Sequence, residues 1–361
     1  MSKVSSTIIK DSKEIIFEIN KSLNKLSNST ILLTGVNGFL CSYILDVLSN
    51  WNELNNNCKI IAIDNLKTGI SSRLSHLKKR KDILFIKHDV SKKLKINHKI
   101  DWIIHGASIA SPIKYRKFPL ETIEANVNGT RQMLDLAKRN NSKGIIIMST
   151  SEIYGNPDAK NIPTKEIYNG NVSCFGPRAC YDESKRLAET LSFIYKTKFN
   201  IPVKIIRPFN VFGPGQNLYD QRIIPDLMNC VLSRKEIKLF SDGKSTRSFC
   251  YVKDAAKAIL KILVNKKTNG QAYNVGNDEI EISIKELSIK MSKISKQLLG
   301  RQPKINFLIN KDKDYNTDNP RRRCPNLNKI KKTISWKPEI KLEDALKRTL
   351  ISYIEIEKKK Y

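Results

Sequence analysis

The stretch Ile31-Leu32-Leu33-Thr34-Gly35-Val36-Asn37-Gly38-Phe39-Leu40-Cys41 opens as an apolar run, breaks at two glycines, and passes into apolar residues at helical spacing over Ser42–Leu48. It reads as a buried strand, a tight turn and an amphipathic helix. A glycine turn in that setting lets backbone N–H groups and the helix N-terminus approach a pyrophosphate. Gly35 and Gly38 stand at the first two glycine positions of a G-x-x-G-x-x-G turn. Two glycines alone do not separate a phosphate cradle from an ordinary turn; their place between the first strand and the first helix favours the cradle.

Working outward, a second strand spans Lys59–Ile63 and ends at Asp64. A carboxylate at that point can hydrogen-bond both ribose hydroxyls and repel a 2′-phosphate, which favours NAD over NADP. Nearby Lys67 pulls the other way, because it could meet a phosphate. Further strands are expected at Ile83–Lys87, Trp102–His105, Gly144–Met148 and Val203–Ile206, with long helices at about Leu120–Arg139 and Cys180–Thr197. Strands alternating with helices imply a parallel sheet with right-handed crossovers. The fold class is therefore α/β: a Rossmann-type doubly wound parallel sheet with a smaller C-terminal substrate-binding lobe. The expected organisation is a polar leader over 1–28, an NAD-binding domain carrying the catalytic residues over 29–208, and a mainly substrate-binding lobe over 209–361, parts of which return to the first domain. Beyond Pro208 the pattern loosens into Gly-, Pro- and Asn-rich loops and shorter helices such as Ile284–Leu298.

Composition narrows the function classes. The 361 residues are 40% hydrophobic and 28% charged, values of a folded chain with a sizeable core. No run of roughly 18 apolar residues offers a membrane span, and the leader lacks a signal-peptide core; a cytoplasmic protein is expected. The seven cysteines are scattered without a CxxC or a nearby histidine, so neither a disulfide framework nor a metal site is expected. The 65 Lys+Arg against 35 Asp+Glu give a net charge of +30. That excess is diffuse and comes with no nucleic-acid-binding motif, so specific nucleic-acid binding is not expected; a polyanionic small substrate would also profit from it.

Tyr181 and Lys185 lie one turn apart on the second long helix, hence on one face. Of the 12 tyrosines only Tyr181 has a lysine at that spacing. A phenol of pKa about 10 is a poor base at neutral pH, and a neighbouring ammonium together with a positive nicotinamide would lower it. Thr150, at the end of the fifth strand, is placed to hydrogen-bond the same substrate hydroxyl.

Together with His88-Asp89-Val90, His105-Gly106-Ala107-Ser108, Asn126-Val127-Asn128-Gly129-Thr130 and Arg207-Pro208-Phe209-Asn210-Val211-Phe212-Gly213-Pro214, these features resemble the extended short-chain dehydrogenase/reductase superfamily of nucleotide-sugar epimerases, dehydratases and decarboxylases. The resemblance runs from about Ile31 to Pro338. It implies that Gly35, Asn37, Gly38, Phe39, Leu40, Asp64, Asn65, Asp89, Val90, Ala107 and Asn126 hold NAD, with Thr150, Tyr181 and Lys185 both contacting the cofactor and catalysing. Two positions depart from the pattern: Cys41 stands where Gly or Ala is usual, and Gly106 where a bulkier apolar residue is usual.

The residues after Thr150 divide that family. Its 4,6-dehydratases carry Asp-Glu there; this chain has Ser151-Glu152, which is similar to the UDP-glucuronate decarboxylases, as are Ala110-Ser111-Pro112 with Tyr115, Gly176-Pro177-Arg178 before Tyr181, and the Asp242–Phe249 run. Ser184 departs from the Gly common before that group's lysine. The resemblance implies Glu152 as a fourth catalytic residue. It implies a substrate site of Ser111, Tyr115, Ser151, Glu152, Asn210, Arg222, Arg247 and an arginine of the Arg321–Arg323 element, taken as Arg322. The implied reaction is decarboxylation of a nucleotide sugar, UDP-glucuronate, through a 4-keto intermediate by a homodimer. A 4-epimerase or 4,6-dehydratase remains open at this point, as does a non-catalytic regulator that binds RNA or protein.

Overall fold

In the computed structural model, which describes residues 4–308 and 320–358, the Ile31–Leu33 run is the buried centre of strand β1 (Thr30–Thr34). Around it lie β2 (Lys59–Asp64), β3 (Ile83–Lys87), β4 (Trp102–His105), β5 (Gly144–Met148) and β6 (Val203–Pro208). Isoleucines crowd these strands, and Ile60, Ile61, Ile63, Ile103, Ile104 and Ile145–Ile147 are buried whichever face they point to. A strand covered on both faces needs no polar alternation, which is why these segments read as continuous apolar runs.

Short strands follow: β7 (Val211–Phe212), β8 (Ile237–Leu239), β9 (Thr246–Ser248) and β10 (Cys250–Tyr251). Then come β11 (Gln271–Val275), β12 (Glu281–Ser283), β13 (Ile305–Phe307) and β14 (Arg322–Arg323). The central sheet has seven parallel strands in the order β11-β6-β5-β4-β1-β2-β3. Strand order reverses between β1 and β4, so the crevice at their carboxyl ends is the switch point where such sheets take ligands. The Gly35 turn leaves β1 there, and Gly106-Ala107 leaves β4 beside it.

Helices cover both faces: α1 (Ser6–Leu23), α2 (Phe39–Asn52), α3 (Pro112–Lys117), α4 (Pro119–Asn140) and α5 (Ala179–Phe199), then α6 (Ile223–Leu232), α7 (Val252–Val264), α8 (Ile284–Leu299), α9 (Asn328–Ile334) and α10 (Leu342–Lys358). One core layer joins α1, α2, α7 and α10 to the sheet and the C-terminal lobe; the other packs α4 and α5 on the opposite face. No described helix is long and apolar enough to cross a membrane.

One expectation is corrected. The stretch 1–28 is not merely a polar leader: α1 buries Ile8, Ile15, Ile16, Ile19 and Leu23 on one stripe, while Lys, Glu and Ser on its other faces mask the pattern. Its Asp11 is buried and accepts hydrogen bonds from Tyr43 (2.9 Å), Tyr251 (2.6 Å) and Arg348 (2.6 Å). The sheet also has a seventh strand: β11, from the C-terminal half, forms its edge beside β6, and α7 from the same half packs on the sheet.

Candidate active site

The glycine turn works as a backbone cradle. Gly35 has φ +75° and donates its N–H to Ile63 O at 2.8 Å; a β-carbon on it would lie 2.7 Å from the Ala107 backbone nitrogen. A side chain is excluded on both conformational and steric grounds. Gly38 caps α2, whose leading N–H groups open toward the crevice. Asp64 accepts from the Asn37 backbone N–H at 2.9 Å and from Leu66 at 2.8 Å, so its carboxylate also holds the turn. Lys67 is ion-paired with Glu121 at 2.7 Å.

A cleft open to solvent follows the switch point. Gly35, Asn37, Gly38, Phe39, Asp64, Asn65, Asp89, Val90 and Ala107 all line it, and so do Ser111 and Arg222. Leu40, Asn126, Thr150, Tyr181 and Lys185, also expected to hold the cofactor, do not. Asn126 lies buried beneath, accepting from Ser108 (2.7 Å) and donating to Ser184 (2.8 Å), which ties α4 to α5. Ser184, the departure noted in the sequence, thus has a partner.

At the carboxyl end of β5, Thr150 hydrogen-bonds Tyr181. Tyr181 is buried and stacks on Tyr115, ring centroids 5.0 Å apart and 8° from parallel. Burial pushes the Tyr181 phenol up to about 12, against the lowering effect of Thr150. Lys185 sits 5.9 Å from the Tyr181 ring centre and donates to Met148 O at 2.7 Å; burial holds its ammonium down to about 8.

Beside this group is a cluster of ions. Arg323 grips both oxygens of Glu152, one of them at 2.6 Å, and Arg178 donates to the same carboxylate at 2.5 Å. Burial raises the Glu152 carboxyl, but Arg323 and Arg178 outweigh it and hold it down to about 2. Asp182, 3.7 Å from Arg178, goes the other way: burial and Glu152 push it up to about 7. Arg247 is buried close by and donates to Thr246 O and Arg321 O; burial and Arg323 bring it down to about 9.

Arg322 is not in this cluster. It is exposed and pairs with Glu281 at 2.7 Å, because adjacent residues of a strand point to opposite faces and it is Arg323 that points inward. Asn210 donates to Ser248 O at 2.9 Å and braces β9. Ser111 donates to Asp220 O (3.2 Å) and Arg222 to Ala110 O (3.0 Å), so these two fasten the cleft's far wall. Ser151 is buried in the turn that carries Glu152. Arg178 and Asp182 were not among the expected site residues, and Arg323 entered only as one of three arginines of its element; the i, i+4 spacing of Arg178 and Asp182 was the available signal for those two.

The cradle that a β-carbon would fill, the helix N-terminus and the Asp64 carboxylate at the end of β2 fit a dinucleotide. The chain belongs to the NAD dependent epimerase/dehydratase family, whose model matches residues 31–276. Among curated relatives it is similar to UDP-glucuronic acid decarboxylase 6 of Arabidopsis thaliana, 37% identical over 89% of this chain and 87% of that one. UDP-glucuronic acid decarboxylase 1 of Xenopus tropicalis is 34% identical over 91% of this chain and 73% of that one. Among solved structures, UDP-N-acetylglucosamine 4-epimerase from Methanobrevibacter ruminantium superposes with a TM-score of 0.77 at 25% identity, over 91% of this chain and 99% of the other. The dTDP-glucose 4,6-dehydratase of Streptomyces venezuelae, determined with NAD bound, gives 0.75 at 22% identity, over 90% and 97%.

Proposed function

We propose that the chain is an NAD-dependent nucleotide-sugar decarboxylase that converts UDP-glucuronate to UDP-xylose and carbon dioxide. The observation that carries this reading is the convergence of Arg178, Arg247 and Arg323 on Glu152 beside Tyr181. Arg178 and Arg323, already arranged around one carboxylate, form a charge pattern that can receive a second one from the substrate. The curated relatives, similar over most of their length, support the same substrate.

NAD bound in the cleft supplies an oxidant that takes hydride from C4 of the sugar and gives it back at the end. Tyr181 takes the C4 hydroxyl proton while Thr150 holds the oxygen. The buried Lys185 ammonium, fixed by Met148 O, favours the phenolate. Once C4 is a ketone the C5 carboxylate lies β to it, so the C–C bond breaks with its electron pair delocalised into the carbonyl. Carbon dioxide needs no proton to leave; the enolate left behind takes a proton from solvent at C5, and Tyr181 gives its proton back to the C4 oxygen as the hydride returns. Ser151 is adequate at this position, whereas loss of a hydroxide would call for an acid there. Arg178 and Arg323 orient the carboxylate against Glu152.

Mass spectrometry of UDP-glucuronate incubated with the protein and NAD+ tests the reading. Loss of carbon dioxide is expected; a C4 epimer without mass loss would replace it by an epimerase.

We also propose a homodimer formed by α4 and α5, which leave Leu120, Ile123, Leu187, Phe193 and Ile194 exposed. Light scattering should give twice the chain mass, and Phe193→Glu should lower it to one chain.

A further inference from the structure

Behind the ion cluster a single amide joins three segments. Asn274, on β11, is completely buried. Its Nδ2 donates to Thr164 O at 2.9 Å and to Asn326 O at 3.3 Å. Its Oδ1 accepts from the Tyr154 hydroxyl at 2.7 Å, and its backbone N–H donates to Glu166 Oε1 at 3.0 Å. The two carbonyls fix the amide orientation, since a reversed amide would set its oxygen against both.

Each partner leads to one half of the Glu152–Arg323 pair. Tyr154 stands in the same 3-10 turn as Glu152 (Ser151–Tyr154), and its hydroxyl accepts from Arg207 at 2.7 Å. Asn326 and Thr164 belong to the seam that delivers Arg323: Thr164 N donates to Cys324 O at 2.9 Å, and Asn326 N to Thr164 O at 2.8 Å. On its other side Arg323 is paired through β14 to Arg247 of β9. The distance between acid turn and arginine strand is therefore spanned by one rigid side chain using both its donor and its acceptor.

We propose that Asn274 is the positioning residue that sets Arg323 against Glu152 and so places the positive charge that receives the substrate's carboxylate. The inference rests on the decarboxylase reading of this site. Asn274 touches neither substrate nor cofactor and acts through Tyr154 and the Thr164–Asn326 seam. An isosteric carboxylate cannot replace it: Asn274→Asp removes two donors and turns a buried charge toward two carbonyls.

The test compares wild type with Asn274→Asp and with Tyr154→Phe, which keeps the ring and removes the hydroxyl's two hydrogen bonds, the one to Asn274 and the one from Arg207. Affinities for UDP-glucuronate, for UDP-xylose (the same nucleotide sugar without the carboxylate) and for NAD+ are measured by calorimetry. Amide hydrogen exchange at Thr164 and Asn326 is followed without ligand. Both variants should bind UDP-glucuronate about tenfold or more weakly, in keeping with the sensitivity of such sites to small displacements. UDP-xylose and NAD+ affinities should hold, and exchange at Asn326 should quicken. Equal losses for both sugars, or wild-type affinity with unchanged exchange, would overturn the proposal. Should Asn274→Asp not fold, Tyr154→Phe decides alone. If wild-type protein does not decarboxylate UDP-glucuronate, it is the function that fails; exchange at Asn326 then still decides whether Asn274 holds the strand.

Discussion

A β-carbon on Gly106 would lie 2.3 Å from the sulfur of Cys41. The two departures from the family pattern thus occupy one space: the thiol on α2 fills the volume that a side chain after β4 would take. Cys41 is buried, and burial pushes its thiol up to about 12, so it packs as a small apolar group and not as a thiolate.

Gly106→Ala should accordingly destabilise the chain by about 1–3 kcal/mol through overpacking. Adding Cys41→Gly should recover most of that loss, since residues in contact do not act additively. Urea unfolding of the wild type, both single variants and the double variant measures the coupling. Additive effects would separate the two positions.

Tyr181→Phe should lower turnover by about a hundredfold or more, the range of general acid–base catalysis. NAD+ affinity should be retained because the glycine turn is untouched. Burial pushes the phenol up to about 12, and a base acts when deprotonated. Wild-type turnover should therefore rise with pH until the phenol in the complex has ionised. Stopped-flow assays across pH check both statements.

Glu152→Gln should destabilise the fold by about 3 kcal/mol or more by leaving Arg178 and Arg323 without their buried counter-charge. The folded carboxyl is held at about 2 against an ordinary value of 4.5. Its contribution is complete above that ordinary value and is lost as pH falls toward the folded one. Denaturant titrations over this window should show a shallower acid loss in the variant. An unchanged slope would mean that Glu152 is not ion-paired in solution.

Asp64→Ala should weaken NAD+ and narrow its lead over NADP+. It removes the carboxylate and also the acceptor that fixes the Asn37 and Leu66 backbone. Fluorescence titration with each cofactor reads both effects, and a variant with wild-type discrimination would remove Asp64 from the choice of cofactor.

The glycine turn, six of the seven central strands and the Tyr181–Lys185 pair were legible because each carries a local signal: an apolar run, a turn, a helical spacing. β11 was not, since Gln271–Val275 reads as a mixed segment until it lies beside β6 and inherits that strand's cover. Arg322 and Arg323 show a second limit. Which of two adjacent arginines faces inward depends on the pairing register of β14 with β9, and a strand of two residues has no alternation from which to read it. Arg178 was quoted as part of a motif, but its hold on Glu152 depends on a turn and a helix start far apart in sequence. Asn274 is the same case, a hub made by three distant segments.

The N-terminal helix has a consequence for how the chain is made. α1 precedes the sheet in the chain, yet Asp11 is bonded to Tyr251 and Arg348, 240 and 337 residues further on, and Glu14 and Glu18 pair with Lys253 at 2.7 and 2.8 Å. α2, with Tyr43, follows α1 closely and can cover part of its isoleucine stripe, while the contacts with α7 and α10 wait until most of the sheet has been made. Long-range closure of this kind slows assembly and exposes apolar surface in the interval.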